Sequence, residues 1–288
     1  MAQLLSVSAK CMSITPANMR TGLLLVLCLS GAGCVHLNTP AERDASFSPY
    51  NGAKVGKDSL WNYLLARSGI LQGGANLDTP LGTNSFRFTN AFDSGTATAI
   101  DKRGYFLTAA HCVNKNQVVW LVFLRNGQPQ AERARIVWRG DKKRREPDLA
   151  ILCVSHPLGQ TFQWAMEFTN GSPVVDLGLS IQGPSHHLKT QPTCVAGGIS
   201  KVSGVLSADS LDYTVVSHSS PLRPGDSGGP LALSDGRLLG INVVVKPDFR
   251  WSHLSFGQHS EAHRPDLVWL RKVIDADAEL FPREISSP

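Results

Sequence analysis

The sequence predicts an all-β protein that ends in an α-helix. Short apolar and β-branched segments recur along residues 95–245 and are separated by glycine-rich or polar turns, a pattern typical of antiparallel strands. Beyond them, apolar residues at helical spacing predict a C-terminal helix that begins at Pro265 and carries on one face Leu267, Leu270, Ile274 and Phe281. Without a leader at residues 1–33, the chain of 288 residues keeps 255, enough for one large domain or two small barrels that share an interface.

The leader has the composition of a secretory signal. Residues 1–33 contain Lys10 and Arg20 but no acidic residue, and an apolar run at 23–29 is followed by small residues at 30–33. The apolar run is too short for a transmembrane helix. The segment is therefore expected to direct export.

Cys34 directly follows the small residues and resembles the lipidated cysteine of bacterial lipoproteins. That family usually has Leu where this chain has Gly31, so ordinary cleavage with an incidental Cys34 is the alternative. Lipidation would attach the protein to a membrane of the bacterial cell envelope through residues 35–57, which are rich in Asn, Thr, Pro, Ser and Gly. A short helix is expected next, from the helical spacing of Leu60, Trp61, Leu64 and Leu65.

The most informative stretch is GDSGGP, residues 225–230. A serine hydroxyl is not ionised at neutral pH and becomes a useful nucleophile only beside a base. Glycines at 225 and 228 can adopt backbone conformations that are closed to other residues, so the chain can turn tightly and bring amide N–H groups close to a reacting oxygen. An ordinary surface turn is the alternative interpretation.

The hexapeptide resembles the nucleophile motif of the trypsin/chymotrypsin superfamily of serine proteases, in which the catalytic residues follow the order His, Asp, Ser. Residues 107–112 (LTAAHC) resemble the family's histidine motif and supply His111, and residues 148–152 (DLAIL) supply Asp148 at the start of an apolar strand. Taken alone, the histidine could belong to the core and the aspartate to a turn. Their order upstream of Ser227 predicts a catalytic triad.

The resemblance covers about residues 90–280 and implies two packed antiparallel Greek-key β-barrels of the chymotrypsin-like kind. It places the barrels at residues 85–160 and 161–264, after a tether and short helix at 34–84 and before a helix and tail at 265–288. The spacing is closer to the compact bacterial members, including the high-temperature-requirement family, than to mammalian trypsin. Individual strands are expected at 95–100, 105–108, 118–124, 134–138, 194–202, 213–216 and 238–245, and a strand followed by a turn is expected at 177–184. A hairpin turn is expected at residues 101–104, and Asn126-Gly127 is expected to form a turn between two strands.

The resemblance also implies the activity, that of a serine endopeptidase with protein or peptide substrates and no metal or organic cofactor. His111 would accept the proton of Ser227 as the serine attacks a peptide carbonyl, and Asp148 would orient the imidazole and stabilise its charged form. The backbone N–H groups of Gly225 and Ser227 would form the oxyanion hole. Two other classes of function are a catalytically silent binding protein with a protease fold and a membrane-tethered interaction scaffold.

By the same resemblance, substrate-binding residues of the specificity pocket are Pro221 and Leu222 before the nucleophile and Val243, Val244 and Val245 after it. The position that carries Asp in trypsin-like members is Pro221 here, and a buried cation without a partner is strongly disfavoured. The branched side chain of Val245 would narrow the opening. We therefore expect cleavage after small or medium apolar residues such as Ala, Val or Leu.

Two departures from the family pattern have consequences. No Ile-Val-Gly-Gly stretch precedes residue 95, so Asp226 is not expected to pair with a new amino terminus created by cleavage. Three cysteines follow the leader and Cys34, and the usual partner of Cys112 is missing. The odd number implies at least one thiol or an intermolecular bridge, and Cys112 with Cys153 is the first pair to test.

Composition excludes some partners. Residues 34–288 carry 26 basic and 23 acidic side chains, a net charge of +3 that is too mild to imply a nucleic-acid partner. The basic run at 142–145 predicts a solvated loop. By resemblance this loop borders the substrate cleft. The alternative is that its positive charges select acidic residues in the peptide substrate. A histidine-bearing loop is expected around His253, His259 and His263, and their spacing does not resemble a metal site, so no bound metal is expected.

Overall fold

The computed structural model describes residues 41–46, 59–80, 85–91, 93–182, 187–205, 211–250 and 255–282. The strands in chain order are β1 (Ala41–Ser46), β2 (Ser68–Gly73), β3 (Asn76–Pro80), β4 (Ser85–Ala91), β5 (Asp93–Asp101), β6 (Tyr105–Thr108), β7 (Val119–Arg125), β8 (Gln128–Arg139), β9 (Ala150–Cys153), β10 (Pro173–Gln182), β11 (His187–Val205), β12 (Tyr213–His218), β13 (Pro230–Leu233), β14 (Leu238–Arg250) and β15 (Ser255–Pro265). The two α-helices of the described residues are α1 (Ser59–Leu65) and α2 (Leu267–Leu280).

Six antiparallel strands form the first barrel, in the order β2-β5-β6-β9-β8-β7, and β7 pairs with β2 to close the ring. Fully buried apolar side chains fill its interior, among them Ile70, Leu107, Leu121, Ile151 and Leu152. The ring starts earlier than the predicted boundary at residue 85. The reason is β2, whose six residues were assigned to the tether because a short apolar run beside Gly73 gives little strand signal.

The turns of this barrel follow from their residues. Asn126 and Gly127 have φ values of 52° and 76°, the two positive values that a type I′ hairpin turn requires between β7 and β8. Gly104, with a φ of 92°, completes the predicted turn between β5 and β6. Both hairpins were expected from these turn residues.

The second barrel contains six strands in the order β10-β13-β14-β15-β12-β11, and pairing of β10 with β11 closes it. Its buried apolar cluster is Ala165, Val174, Ile199, Val216, Leu231, Leu233, Leu239 and Ala262. The strand β15 was interpreted from sequence as a histidine-bearing loop, because its polar composition hides the pairing with β12 and β14. Two closed six-stranded barrels and a C-terminal helix confirm the predicted fold class.

Three further strands extend the sheet of the second barrel. The strand β1 pairs in parallel with the start of β11 and antiparallel with β4, and β4 pairs with β3. Residues 34–84 were predicted to be a tether and a short helix, yet β1 and β3 lie within them. Their pairing partners are distant in sequence, so local propensity gave no sign of these strands.

The short helix α1 lies where helical spacing predicted it, and Trp61 and Leu64 are buried. The helix α2 begins two residues after Pro265, because Asp266 caps it by accepting a hydrogen bond from the Trp269 N–H at 2.7 Å. Neither helix is both long and apolar enough to cross a lipid bilayer.

The helix α2 is attached to the first barrel through Asp277. This buried carboxylate accepts two hydrogen bonds from Arg135, each of 2.6 Å, and one from the Tyr105 hydroxyl at 2.8 Å. Of the four predicted face residues, Leu270 and Ile274 are buried, whereas Phe281 is exposed at the helix end. Phe281 lies there because its ring stacks on Arg135, with 4.1 Å from the guanidinium carbon to the ring centroid.

Candidate active site

The loop that carries Ser227 belongs to the second barrel but is held by a strand of the first. The Ser227 carbonyl accepts a hydrogen bond from the Thr96 backbone N–H at 2.8 Å, and the Gly225 carbonyl accepts one from the Thr96 hydroxyl at 2.8 Å. The Thr98 hydroxyl donates to the Gly228 carbonyl at 2.9 Å. The strand β5 therefore fixes the main chain on both sides of the serine.

Gly228 is required by this close approach. Its φ is +89°, and a Cβ atom there would lie 1.9 Å from the Thr96 carbonyl oxygen and 2.3 Å from the Thr108 hydroxyl. Gly225 also has a positive φ, 97°. A side chain at residue 228 would push the nucleophile loop away from β5.

His111 and Asp148 come from the first barrel and are in direct contact. His111 lies in a short 3-10 turn after β6, and Asp148 lies two residues before β9. Oδ2 of Asp148 is 2.7 Å from His111 Nδ1, and Oδ1 accepts the His111 backbone N–H at 3.0 Å. Both carboxylate oxygens thus bind His111, which sets the plane of the ring and leaves Nε2 for proton transfer.

The Asp148 carboxylate remains ionised at neutral pH. Burial acts to raise the pKa of Asp148, but the hydrogen bonds and the charge of His111 outweigh it and hold that pKa below its usual value. A carboxylate can only accept a hydrogen bond, so the proton of the ring lies on Nδ1.

Ser227 is buried, and within the described residues its hydroxyl has no hydrogen-bond partner, so no hydrogen bond joins it to His111. In the same part of the chain, the backbone N–H groups of Gly225 and Ser227 donate to no protein acceptor. The three predicted catalytic residues thus come from two barrels, with the His–Asp contact made and the Ser–His contact open. Two amide donors remain available beside the serine.

A second histidine contacts Asp148, and sequence analysis did not place it at the site. Nδ1 of His263 accepts a hydrogen bond from the Asp148 backbone N–H at 3.0 Å. His263 lies on β15, and its ring centroid is 4.9 Å from that of Tyr213. A strand prediction over residues 255–265 would have been needed to place this ring beside the first barrel.

Arg139 is the other residue that sequence analysis did not connect with the site. Its Nε donates to the carbonyls of Ala110 and Val113, at 3.0 and 2.8 Å, on either side of His111. The side chain is half-buried, although it adjoins the exposed basic run at residues 142–145. Arg139 therefore clamps the turn that carries His111.

A cleft of about 500 Å³ opens beside His111 and is lined by Asp93, Val113, Asn114, Lys115, Asn116 and Arg139. A second cleft of about 480 Å³ shares Lys115 and Arg139 and adds Trp138, Asp141, Arg144 and Glu146. Basic side chains therefore border one side of the candidate site.

The predicted specificity residues differ in burial. Leu222 and Val243 are buried, Val244 is partly buried and Pro221 is exposed. Val245 lies on β14, but its side chain falls outside the described structure. Cys34 lies outside it as well, so the predicted lipid attachment has no structural description.

Beneath the nucleophile loop, one end of the second barrel holds a set of buried polar atoms. Among the described residues this set comprises Asp176, Ser220, His218 and Asn242, in which Asp176 faces the Ser220 side chain and His218 faces the Asn242 side chain. Burial and the nearby charge of Asp226 raise the pKa of Asp176 to about 8, and burial lowers the pKa of His218 to about 4. Both side chains are therefore uncharged near neutral pH.

Two further expectations concern cysteines and metals. Cys153 is not disulfide-bonded, and its sulfur lies 3.7 Å from the Val154 carbonyl oxygen, so the suggested bridge to Cys112 is not formed.

Among the described side chains, no three His, Cys, Asp or Glu residues lie close enough to hold a metal ion. His253 lies outside the described residues, and so does the side chain of His259.

The chain is similar to known proteases in sequence and in structure. The sequence profile of a family described as trypsin-like peptidase domain matches residues 95–241, just over half of the chain. The solved structure of the HtrA-type protease AlgW with a decapeptide is similar, with a TM-score of 0.51 and 18% identity, over 75% of this chain and 66% of that chain. The solved structure of the MamO protease domain from Magnetospirillum magneticum (apo form) has a TM-score of 0.46 and 14% identity. The match covers 74% of this chain and 98% of that chain. No curated protein sequence matches.

Proposed function

Because the chain belongs to the family of trypsin-like peptidase domains, we propose that it is a serine endopeptidase in which His111, Asp148 and Ser227 form the catalytic triad. The observation that carries this proposal is the contact of 2.7 Å between His111 Nδ1 and Asp148, at the barrel interface that also holds Ser227. An isolated histidine–aspartate pair is common in proteins. Its position beside a serine on a glycine-lined loop is what acyl transfer requires.

The reaction follows from this arrangement. Ser227 Oγ attacks the carbonyl carbon of a peptide bond, and its proton passes to His111 Nε2. The imidazolium then gives that proton to the leaving amine, and an acyl group remains on Ser227. Water, activated by the same imidazole, hydrolyses the ester. The serine hydroxyl has no competing partner in the described residues, so it can bond to His111 when substrate binds.

The backbone N–H groups of Gly225 and Ser227 would bind the oxyanion that forms on the carbonyl oxygen. Neither donates to an acceptor within the described residues, and the threonines of β5 hold the loop from the other side. Donors that are already oriented need no rearrangement as charge develops, and each is worth about 3–4 kcal/mol in comparable enzymes.

The test is labelling with a fluorophosphonate probe, which reacts only with an activated serine. Wild-type protein is expected to be labelled at Ser227 and to cleave a casein substrate, and Ser227→Ala is expected to lose both, with activity reduced at least about a thousandfold. Ser234→Ala, on an exposed turn of the same barrel, is the matched control and should behave as wild type. A folded wild-type protein that neither reacts nor cleaves would indicate the catalytically silent binding protein instead.

For the substrate, we propose peptides with a small or medium apolar residue before the scissile bond. The buried side chains of Leu222 and Val243 support an apolar pocket. Matched peptides ending in Ala, Val, Phe or Arg decide the point, and preference for Arg would contradict it.

We also propose that the protein is exported to the bacterial cell envelope and anchored by lipid on Cys34. The support is the order of charged, apolar and small residues in the leader. Mass spectrometry of the mature protein is expected to find a diacylglyceryl group on an amino-terminal Cys34. An unmodified amino terminus elsewhere would refute the lipid anchor and would leave the peptidase proposal untouched.

A further inference from the structure

Asp148 is held at two ends by two different histidines. Its carboxylate binds His111, and its backbone N–H donates to Nδ1 of His263 at 3.0 Å. A ring nitrogen that accepts a hydrogen bond carries no proton, so His263 is neutral with its proton on Nε2. The contact therefore depends on the protonation state of a residue outside the triad.

The His263 ring is fixed by its own barrel. In the β15 register, His263 lies opposite Val215 of β12 on one side and Ile241 of β14 on the other. Tyr213 of β12 packs against the ring, with centroids 4.9 Å apart. The position of the acceptor is thus set by the second barrel, whereas Asp148 belongs to the first.

We propose that His263 is a positioning residue for the catalytic aspartate, and that it performs this role only in its neutral form. The proposal rests on the proposed peptidase function. It assigns to β15 the task of fixing the main chain of Asp148, and through the carboxylate the plane of the His111 ring. His263 acts through Asp148 and does not touch the substrate.

Protonation of His263 would disturb the site in two ways. Nδ1 would become a donor, so two N–H groups would face each other across 3.0 Å with no acceptor between them. A positive charge would also arise beside Asp148, which weakens His111 as a base.

The groups that share the surroundings of His263 are few in the described residues. Asp148 and, through it, His111 approach from the first barrel, and Tyr213 approaches from β12. Val215 and Ile241, opposite on β12 and β14, carry no charge. On its own strand, Glu261 is two residues away and therefore on the same face. Protonation of His263 should therefore add one ionisation to the acid side of the pH profile.

The experiment compares two substitutions at this position. In His263→Asn the side-chain amide oxygen occupies about the position of the histidine Nδ1. It accepts the hydrogen bond from the Asp148 N–H, and it does not titrate. We expect this variant to have a kcat/KM close to wild type at alkaline pH. In a plot of log kcat/KM against pH, the limiting slope in acid should be about two for wild type and about one for His263→Asn. His263→Leu removes the acceptor, and kcat/KM is expected to fall about tenfold or more at every pH, mainly through kcat.

The control is His156→Asn, which replaces an exposed histidine beside Glu132 in the first barrel and should keep the wild-type profile. Thermal unfolding checks each variant, and if His263→Leu does not fold, His263→Asn carries the test. An acid limb of unchanged slope in His263→Asn, or wild-type kcat in a folded His263→Leu, overturns the inference while Ser227-dependent hydrolysis still stands.

A second readout does not need activity. In an NMR titration of protein with ¹⁵N-labelled histidine, the His111 ring signals should respond to the ionisation of His263 in wild type and lack that response in His263→Asn. If no Ser227-dependent hydrolysis is found, the proposed function fails, and the titration alone still decides whether His263 controls the Asp148–His111 pair. A His111 titration that is the same in both proteins overturns the inference.

Discussion

At the scale of single residues, Arg139 shows how a charged side chain can serve the candidate site by holding the main chain around His111. It donates to carbonyls on both sides of His111, and it is half-buried. In Arg139→Met the apolar stem is kept, but the Nε donor that binds both carbonyls is lost. We expect kcat/KM to fall about tenfold and the free energy of unfolding to fall by about 1–3 kcal/mol, because two carbonyls lose a charged partner. Kinetics and urea unfolding measure the two effects.

Arg144→Met is the matched control for Arg139, because it removes an exposed basic residue from the neighbouring turn. It should change the free energy of unfolding by less than about 0.5 kcal/mol. Equal losses in the two variants would mean that general charge near the cleft, and not the clamp on the His111 turn, is responsible.

Asp176 provides a residue-scale prediction of pH dependence. Burial and Asp226 raise its pKa to about 8, above the ordinary value of about 4, so over this range the native state holds a proton that the unfolded chain has released. The contribution of Asp176 to stability is therefore fully present below about pH 4 and is lost as pH rises toward about 8. Asp176→Asn removes the ionisation.

The stability of Asp176→Asn relative to wild type should consequently increase between about pH 5 and about pH 8, as measured by urea unfolding at several pH values. Asp235→Asn, on an exposed turn where Arg237 lowers the carboxyl pKa, should show no such trend. A stability difference for Asp176→Asn that does not vary with pH would contradict the raised pKa.

At the scale of elements, the helix α2 is attached through one buried carboxylate in addition to its apolar face. Asp277→Asn weakens two contacts with Arg135 and one with Tyr105. The expected loss is about 1–3 kcal/mol of unfolding free energy, reduced because the Arg135 side chain is partly exposed. Asp275→Asn, which breaks the exposed contact of 2.8 Å with Arg103, should cost less than about 1 kcal/mol. Similar losses in both would mean that the helix is held by its apolar face alone.

The elements also show what sequence reasoning can reach. Asn126-Gly127 predicted a hairpin because only such residues accept the two positive φ values, and Leu270 and Ile274 predicted the buried side of α2 because helical spacing is local information. The strand β15 was missed because its polar sequence becomes a strand only through β12 and β14. His263 was therefore seen as one of three loop histidines, and its place beside Asp148 depends on contacts 115 residues apart.

At the scale of the whole molecule, the two barrels exchange the contacts that complete the site. The strand β5 of the first barrel holds the Ser227 loop of the second, and β15 of the second barrel holds Asp148 of the first. Neither barrel by itself contains all three residues of the proposed triad together with the contacts that hold them in place. This reciprocity predicts that the barrels unfold together.

Hydrogen exchange followed by mass spectrometry at increasing urea can test this joint unfolding. Peptides that contain β6 and β12, one from each barrel, should lose protection at the same urea concentration in wild type. Thr96→Val removes the hydroxyl that binds Gly225 and Leu179, and should separate the two midpoints. Thr169→Val, on an exposed turn, should leave them together. Two midpoints already in the wild type would show that the barrels are independent.

The hydrogen bond from Asp148 to His263 has a consequence for the timing of biosynthesis. A ribosome releases His111, Asp148 and Ser227 before it releases His263, which lies close to the end of the described chain. Until β15 has emerged and paired, the nascent polypeptide carries every residue of the proposed triad, yet Asp148 lacks the acceptor that fixes its main chain. On the proposed function, a chain whose β15 has not yet paired would lack full peptidase activity, so that activity would be acquired only late in folding.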